Sequence, residues 1–290
     1  MPAKAWGMCV GSGYHVSEEA QEMGHQRLGD IPKTQRWNAV VATVAAGGAG
    51  AGGSAGLAQS VVDVADRTLE AAEAGLERAI DDAGLRFTFY LLTQIVLAAR
   101  EPDWRAELRQ VGIDIDESAS LFDFTDAVQE AIETYVRRHG GPTDISEMAQ
   151  QSAGQALAEL AGPDAVTLFG SGSAEAQDAV RRLSTRAGFS RLGQRFFGCF
   201  AARFLNFYLS RITAGQVGRQ SLDHSGELSR FNEVLLTHCN QSARIVHDFC
   251  GEWYSKTEFQ KGINLENTSG FMAVAVRKLQ AELRRQREGV

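Results

Sequence analysis

From residue 57 onward, apolar side chains return every three or four positions. Leu57, Val61, Ala65, Leu69, Ala72, Leu76 and Ile80 form one such series, with acids on the intervening face. This is the period of an α-helix with one side turned to a core. Residues 87–99 are apolar nearly all round, as expected of a buried helix. Pro102 opens a short helix, and 112–116 reads as a connector. A helix over 123–138 meets the stop signal His139-Gly-Gly-Pro142, and the next runs to Leu160 and stops at Gly162-Pro163. The short apolar segment 166–169 reads as a strand or a packed turn. The longest helices are expected over 189–213, 227–254 and 268–287, the last with Asn267 or Thr268 as its N-cap. The expected fold is all-α, an irregular multi-helix domain over 57–290, with a weak sub-boundary near 163–173.

Residues 1–56 break this pattern. They hold Gly11 and Gly13 and then the tract Gly47-Gly-Ala-Gly-Ala-Gly-Gly-Ser-Ala-Gly56. Dense glycine raises the entropy lost on ordering and supplies little to bury, so a flexible N-terminal arm is expected. Gly48, Gly50 and Gly53 match a dinucleotide-binding fingerprint, yet no second parallel strand follows within the distance that motif needs. Gly52-x-Ser54-x-Gly56 matches a nucleophile elbow without a strong preceding strand or a placeable His. Both patterns arise inside a Gly/Ala tract, and a linker explains them. No charge occurs between Asn38 and Val62, so membrane insertion of 38–62 is an alternative, with Gly48 and Gly52 as a small-residue pair. Ala and Gly contribute little transfer energy, which disfavours it.

Composition narrows the class. The chain has 290 residues, 44% of them hydrophobic and 8% aromatic, enough to fill a core. Four Cys without paired spacing, and no basic-then-apolar leader, lead to the expectation of a cytoplasmic protein without a disulfide framework. His238, Cys239, His247 and Cys250 suggest zinc. On one helix, however, Cys239 and Cys250 would lie about 16 Å apart, too far to share an ion. Leu235, Cys239, Ala243, Val246, Cys250 and Trp253 instead trace an apolar stripe, so no metal is expected. Leu168-Phe-Gly-Ser171 resembles the opening of a nucleotidyltransferase site. The paired carboxylates such a site needs are missing from 172–186, and a turn before a Ser173-capped helix explains the same residues. Neither a catalytic constellation nor a cofactor is read.

Charge is the strongest anomaly. From 179 to 222 there is no acid, while Arg181, Arg182, Arg186, Arg191, Arg195, Arg203, Arg211 and Arg219 are all present. This +8 segment sits in a chain of net charge −7. Phe196, Phe200, Phe204 and Phe207 recur through it at helical spacing and read as core, with Arg191 and Arg195 on the opposite side of the wheel. The favoured reading pairs the arginines with the acids Glu70, Glu73, Glu77, Asp81 and Asp82, or with a partner protein. The alternative is an exposed face for phosphate or nucleic acid.

Two stretches carry a family likeness. One is Leu183-Ser-Thr-Arg-Ala-Gly-Phe-Ser190 with Arg203-Phe-Leu-Asn-Phe-Tyr-Leu-Ser-Arg211. The other is His238-Cys-Asn-Gln-Ser-Ala-Arg-Ile-Val-His-Asp-Phe-Cys-Gly-Glu-Trp253, continuing through Ser255-Lys-Thr257 and 271–283. Together these stretches of the C-terminal hundred residues resemble the helical B component of Qat anti-phage defence operons. The resemblance implies a non-enzymatic subunit whose partners are an ATPase, a QueC-like enzyme and a TatD-like nuclease. It also implies a glycine-rich N-terminal segment that the QueC-like enzyme recognises or modifies. The chain begins Met-Pro-Ala-Lys, so a free N-terminal glycine would require further processing.

Overall fold

The apolar periods become helices packed around a central one. A computed structural model describes residues 35–47, 54–165, 172–216 and 225–285, and among these there are twelve α-helices and no strand. The helices are α1 (Gln35–Gly47), α2 (Ser54–Ala71), α3 (Glu73–Asp81), α4 (Ala83–Ala98), α5 (Trp104–Gln110) and α6 (Leu121–Arg138). They continue as α7 (Asp144–Ala165), α8 (Ser173–Leu183), α9 (Arg186–Gln216), α10 (Ser225–Ser242), α11 (Arg244–Lys261) and α12 (Leu265–Arg285). α9 packs against α7, α10 and α11, and α4 packs against α7 and α12. Their shared interior is aromatic. Phe89 of α4 meets Phe189, Phe196 and Phe197 of α9 and Phe271 of α12, with ring centroids 5.3 to 5.9 Å apart.

The expected core positions are occupied as the spacing requires. Val61, Ala65, Leu69, Ala72, Leu76 and Ile80 are buried, as are Phe196, Phe200 and Phe204, while Phe207 is half-buried. Element ends differ more. The periodic run breaks at Ala72 into α2 and α3, and the expected helix over 227–254 breaks at Ala243 into α10 and α11. An unbroken apolar stripe does not register such a break, because the core-facing positions keep their order across it. α7 continues through Gly162-Pro163 to Ala165; a proline in the last turn forfeits only one intrahelical bond near an end that is already losing them. α12 begins earlier than expected. Asn264 accepts from the Asn267 amide at 2.9 Å, and the Asn267 side chain accepts from the Asn264 amide at 3.1 Å, so the reciprocal cap is one turn upstream.

Part of the stretch 1–56, expected as a flexible arm, is helical. Residues 35–47 form α1, with Trp37 and Val40 buried and the Trp37 ring 6.2 Å from Tyr208. Trp37, Val40 and Val41 fall on one helical face, and that face found a place against α2 and α9 despite the glycines that follow. Gly11, Gly13, Gly48, Gly50, Gly52 and Gly53 lie outside the described residues, as does the segment 166–169. α7 and α8, which flank the candidate sub-boundary, pack on each other. Among the described residues no helix is long and apolar enough to cross a membrane.

Small residues set how closely α9 approaches its neighbours. Gly193 lies against the Cys250 Sγ, and Gly198 against the Asn240 backbone. Gly251 of α11 abuts the Ser190 hydroxyl and the Arg186 carbonyl, leaving no room for a Cβ. One face of α9 is thereby committed to the interior from its first turn onward.

Candidate functional site

The acid-free segment begins in α8 and runs through α9, and its arginines divide by neighbourhood. Arg181, Arg182, Arg186 and Arg191 are exposed around the α8–α9 corner. Arg181 pairs with Asp178 of its own helix at 2.7 Å. Arg186 and Arg191 have no ion pair among the described residues. The close packing of Ser190 and Gly193 on α11 turns the other side of the helix, with Arg191, toward water.

Further along α9 the arginines are clasped by α7. Arg195 forms a two-point pair with Glu159, including Nη2 to Oε1 at 2.6 Å and a second contact from Nε to Oε2. Burial opposes ionisation of Glu159. Hydrogen bonds from Arg195 and Gln155, with the charges of Arg195 and Arg203, outweigh it and hold the carboxyl below its ordinary value. Arg203 is half-buried and donates to the Gln151 side chain at 3.3 Å. The Cys199 thiol lies between these arginines but is fully buried, and burial pushes it up. The side chain of Arg211 and all of Arg219 fall outside the described residues.

Four of the five expected intramolecular partners are engaged elsewhere, and the fifth, Glu77, is exposed with no ion pair among the described residues. Glu70 and Glu73 lie 3.6 and 3.8 Å from Arg36, and Glu73 also meets Arg284 at 2.9 Å. Asp81 pairs with Arg86 at 2.5 Å. Asp82 caps α4 by accepting from the Leu85 amide at 2.8 Å and receives the Thr143 hydroxyl at 2.6 Å. The acid from another helix that grips Arg195, Glu159, is not among the expected partners. It stands within an expected helix, and only the crossing of α7 over α9 brings it to Arg195.

A second residue without a sequence signal anchors the same corner. Arg100, just past α4, donates to the Ser184 carbonyl at the end of α8, to the Tyr254 hydroxyl at 3.0 Å, and pairs with Glu258. The Tyr254 ring stacks on Phe189 at 4.1 Å. These contacts tie α4, α8, α9 and α11 together beneath the exposed arginines. The exposed arginines of the corner thus stand on elements braced from below.

The histidines and cysteines do not converge. His238, Cys239 and Cys250 are buried in the core, and burial pushes both thiols well above their ordinary value. Burial likewise holds the His238 imidazole below its ordinary value, against the opposing charge of Asp66. His247 is half-exposed, 3.6 Å from Asp248. Among the described residues no group of three His, Cys, Asp or Glu side chains is placed to hold a metal ion. No protein-family model matches the chain, and neither does any curated protein or solved structure.

Proposed function

We propose that this protein is a non-enzymatic interaction subunit of a bacterial anti-phage defence complex, working in the cytoplasm. In this reading the arginines of the α8–α9 corner dock an acidic surface of an operon-encoded enzyme. The residues before Gln35 supply the segment that an enzyme partner recognises or modifies. The assignment to a defence operon rests on the resemblance carried by 183–190, 203–211 and 238–257. The docking surface rests on one observation: Arg186 and Arg191 stand exposed on a braced platform with no ion pair among the described residues. A guanidinium fork suits bidentate recognition of carboxylates, and charge complementarity raises the rate and selectivity of association.

The test is recovery of the ATPase, the QueC-like enzyme and the TatD-like nuclease on the tagged full chain after co-expression. Wild type is expected to retain at least one of them, and the double variant Arg186→Glu/Arg191→Glu to lose at least tenfold of that recovery. Equal recovery on the variant would remove the docking surface. Turnover by the purified protein alone, abolished by a point substitution, would remove the non-enzymatic reading. Intact-mass analysis of the recovered chain tests modification of the N-terminal residues.

A second reading follows from the same exposed guanidinium groups, which also suit phosphate. It expects nucleic acid to be recovered in place of protein, with affinity falling steeply as salt rises, because each neutralised phosphate releases counterions.

A further inference from the structure

A groove of about 770 Å³ opens between the first half of α4, the end of α5 with the turn after it, and one face of α6. Its size falls within the range of small-molecule sites, roughly 300–1,000 Å³. Ala127 and Ala131 leave the α6 wall low, and Gly112, at φ 86°, turns the chain away after α5.

The groove contains a column of stacked rings. Phe87 and Tyr135 lie 3.7 Å apart at an interplanar angle of 2°, and Tyr135 and His139 lie 3.8 Å apart at 14°. Two nearly parallel neighbours at such distances occupy opposite faces of the Tyr135 ring. The column therefore ends on His139, which is exposed. That last ring is pinned as well as stacked, because its Nδ1 is 2.7 Å from the Tyr135 carbonyl. Gly140 and Gly141, both at positive φ, end α6 immediately after it. The Gly141 and His139 amides satisfy the Val136 carbonyl. Of the carbonyls at this end of the helix, those of Tyr135 and Val136 are thus already engaged.

The charged groups around the column narrow the ligand. Arg138 lines the groove beside His139, is exposed, and has no ion pair among the described residues. Arg109 lines it from α5, its one ion pair among the described residues being to the largely exposed Asp114 at 3.4 Å. Burial holds the Tyr90 and Tyr135 hydroxyls above their ordinary value, so both remain protonated. A cage for a quaternary ammonium needs open ring faces, and both faces of Tyr135 are covered. A flat ring that lengthens the column, carrying an anion for the guanidinium groups, fits the rings and the arginines, and leaves Asp114 and Glu130 to accept from hydroxyl or amino groups.

We infer that this groove binds a nucleotide, its base stacked on His139 and its phosphate held by Arg138 with help from Arg109. Glu130, on the same wall, accepts from the sugar hydroxyls. The site uses α4, α5 and α6 and stands independently of the arginine corner on α8 and α9.

The experiment is calorimetric titration of the full chain with AMP, GMP and ATP, with ribose 5-phosphate as a probe lacking the base. At least one nucleotide is expected to bind with a dissociation constant below about 1 mM. Arg138→Ala and His139→Ala should each weaken it tenfold or more, and Lys261→Ala, on the exposed end of α11, should leave it unchanged. Both groove substitutions are on exposed side chains, and an unchanged melting temperature confirms folding. Absence of binding by all three nucleotides at millimolar concentration would overturn the proposal. Equal binding by both groove variants would overturn it too, as would ribose 5-phosphate binding as tightly as the nucleotides.

Discussion

The first turns of α9 and its middle carry arginines within one acid-free segment, yet they do different things. Arg186 and Arg191 face water from the corner where α8 meets α9. One turn on, Arg195 has only 18% of its side chain exposed and grips Glu159 of α7 with two contacts. The two regions differ in their neighbours. α7 crosses the middle of α9 and brings a carboxylate, while the start of α9 is packed against α11 through Ser190 and Gly193 and is open on its other side. Similar residues on one helix thus become structural where an opposing element supplies a partner and available for binding where none does. Isolated surface charges contribute little to stability, so the exposed pair is free to serve another purpose at little cost to the fold.

The contrast can be broken hardest at the seam that orients the start of α9. Gly251→Val would drive a branched side chain into the Ser190 hydroxyl and the Arg186 carbonyl and is expected to cost about 3 kcal/mol by overpacking. Denaturant unfolding measures it; a midpoint within error of wild type would mean that this crossing does not hold the corner. Next in size is Glu159→Gln, which leaves Arg195 largely buried without its counter-charge. A loss of roughly 1–2 kcal/mol is expected, below the range for a fully buried pair because Glu159 is partly solvated.

The same pair predicts a pH signature. The Glu159 carboxyl is held below its ordinary value of 4.5 in the folded protein. Its contribution is therefore complete above that pH and is lost as pH falls through the lower folded value. Stability curves of wild type and Glu159→Gln should converge in that acidic window and stay parallel above it. Smallest of all is Arg191→Ala, expected to change unfolding free energy by less than about 0.5 kcal/mol. A loss comparable to that of Glu159→Gln would show that the corner is held together by its arginines and erase the distinction between the two regions.

Much of the architecture was legible from spacing alone. The series from Val61 to Ile80 and the phenylalanines at 196, 200 and 204 announce both helix and core, because burial of one face imposes the helical period directly on the residue types. Breaks and caps were less legible. Ala72 and Ala243 end helices without a proline or glycine, and Asn264 caps one turn before the residues that looked most suited to it. The exposure of Arg191 could be anticipated from its place opposite the phenylalanine stripe. The pairing of Arg195 could not, since the helical wheel put the two together.

The amino-acid sequence by itself determined that this chain is helical, where its core faces lie, and that one segment carries an excess of positive charge. These follow from local periods and from counting, and they need no knowledge of what lies opposite. Only the tertiary structure decided which arginines meet a carboxylate. It also brought Phe87 of α4 onto Tyr135 of α6, extending the local stack of Tyr135 on His139 into one column of rings. Both outcomes depend on side chains from elements distant along the chain meeting within a few ångströms, and no local pattern along the sequence encodes such a crossing.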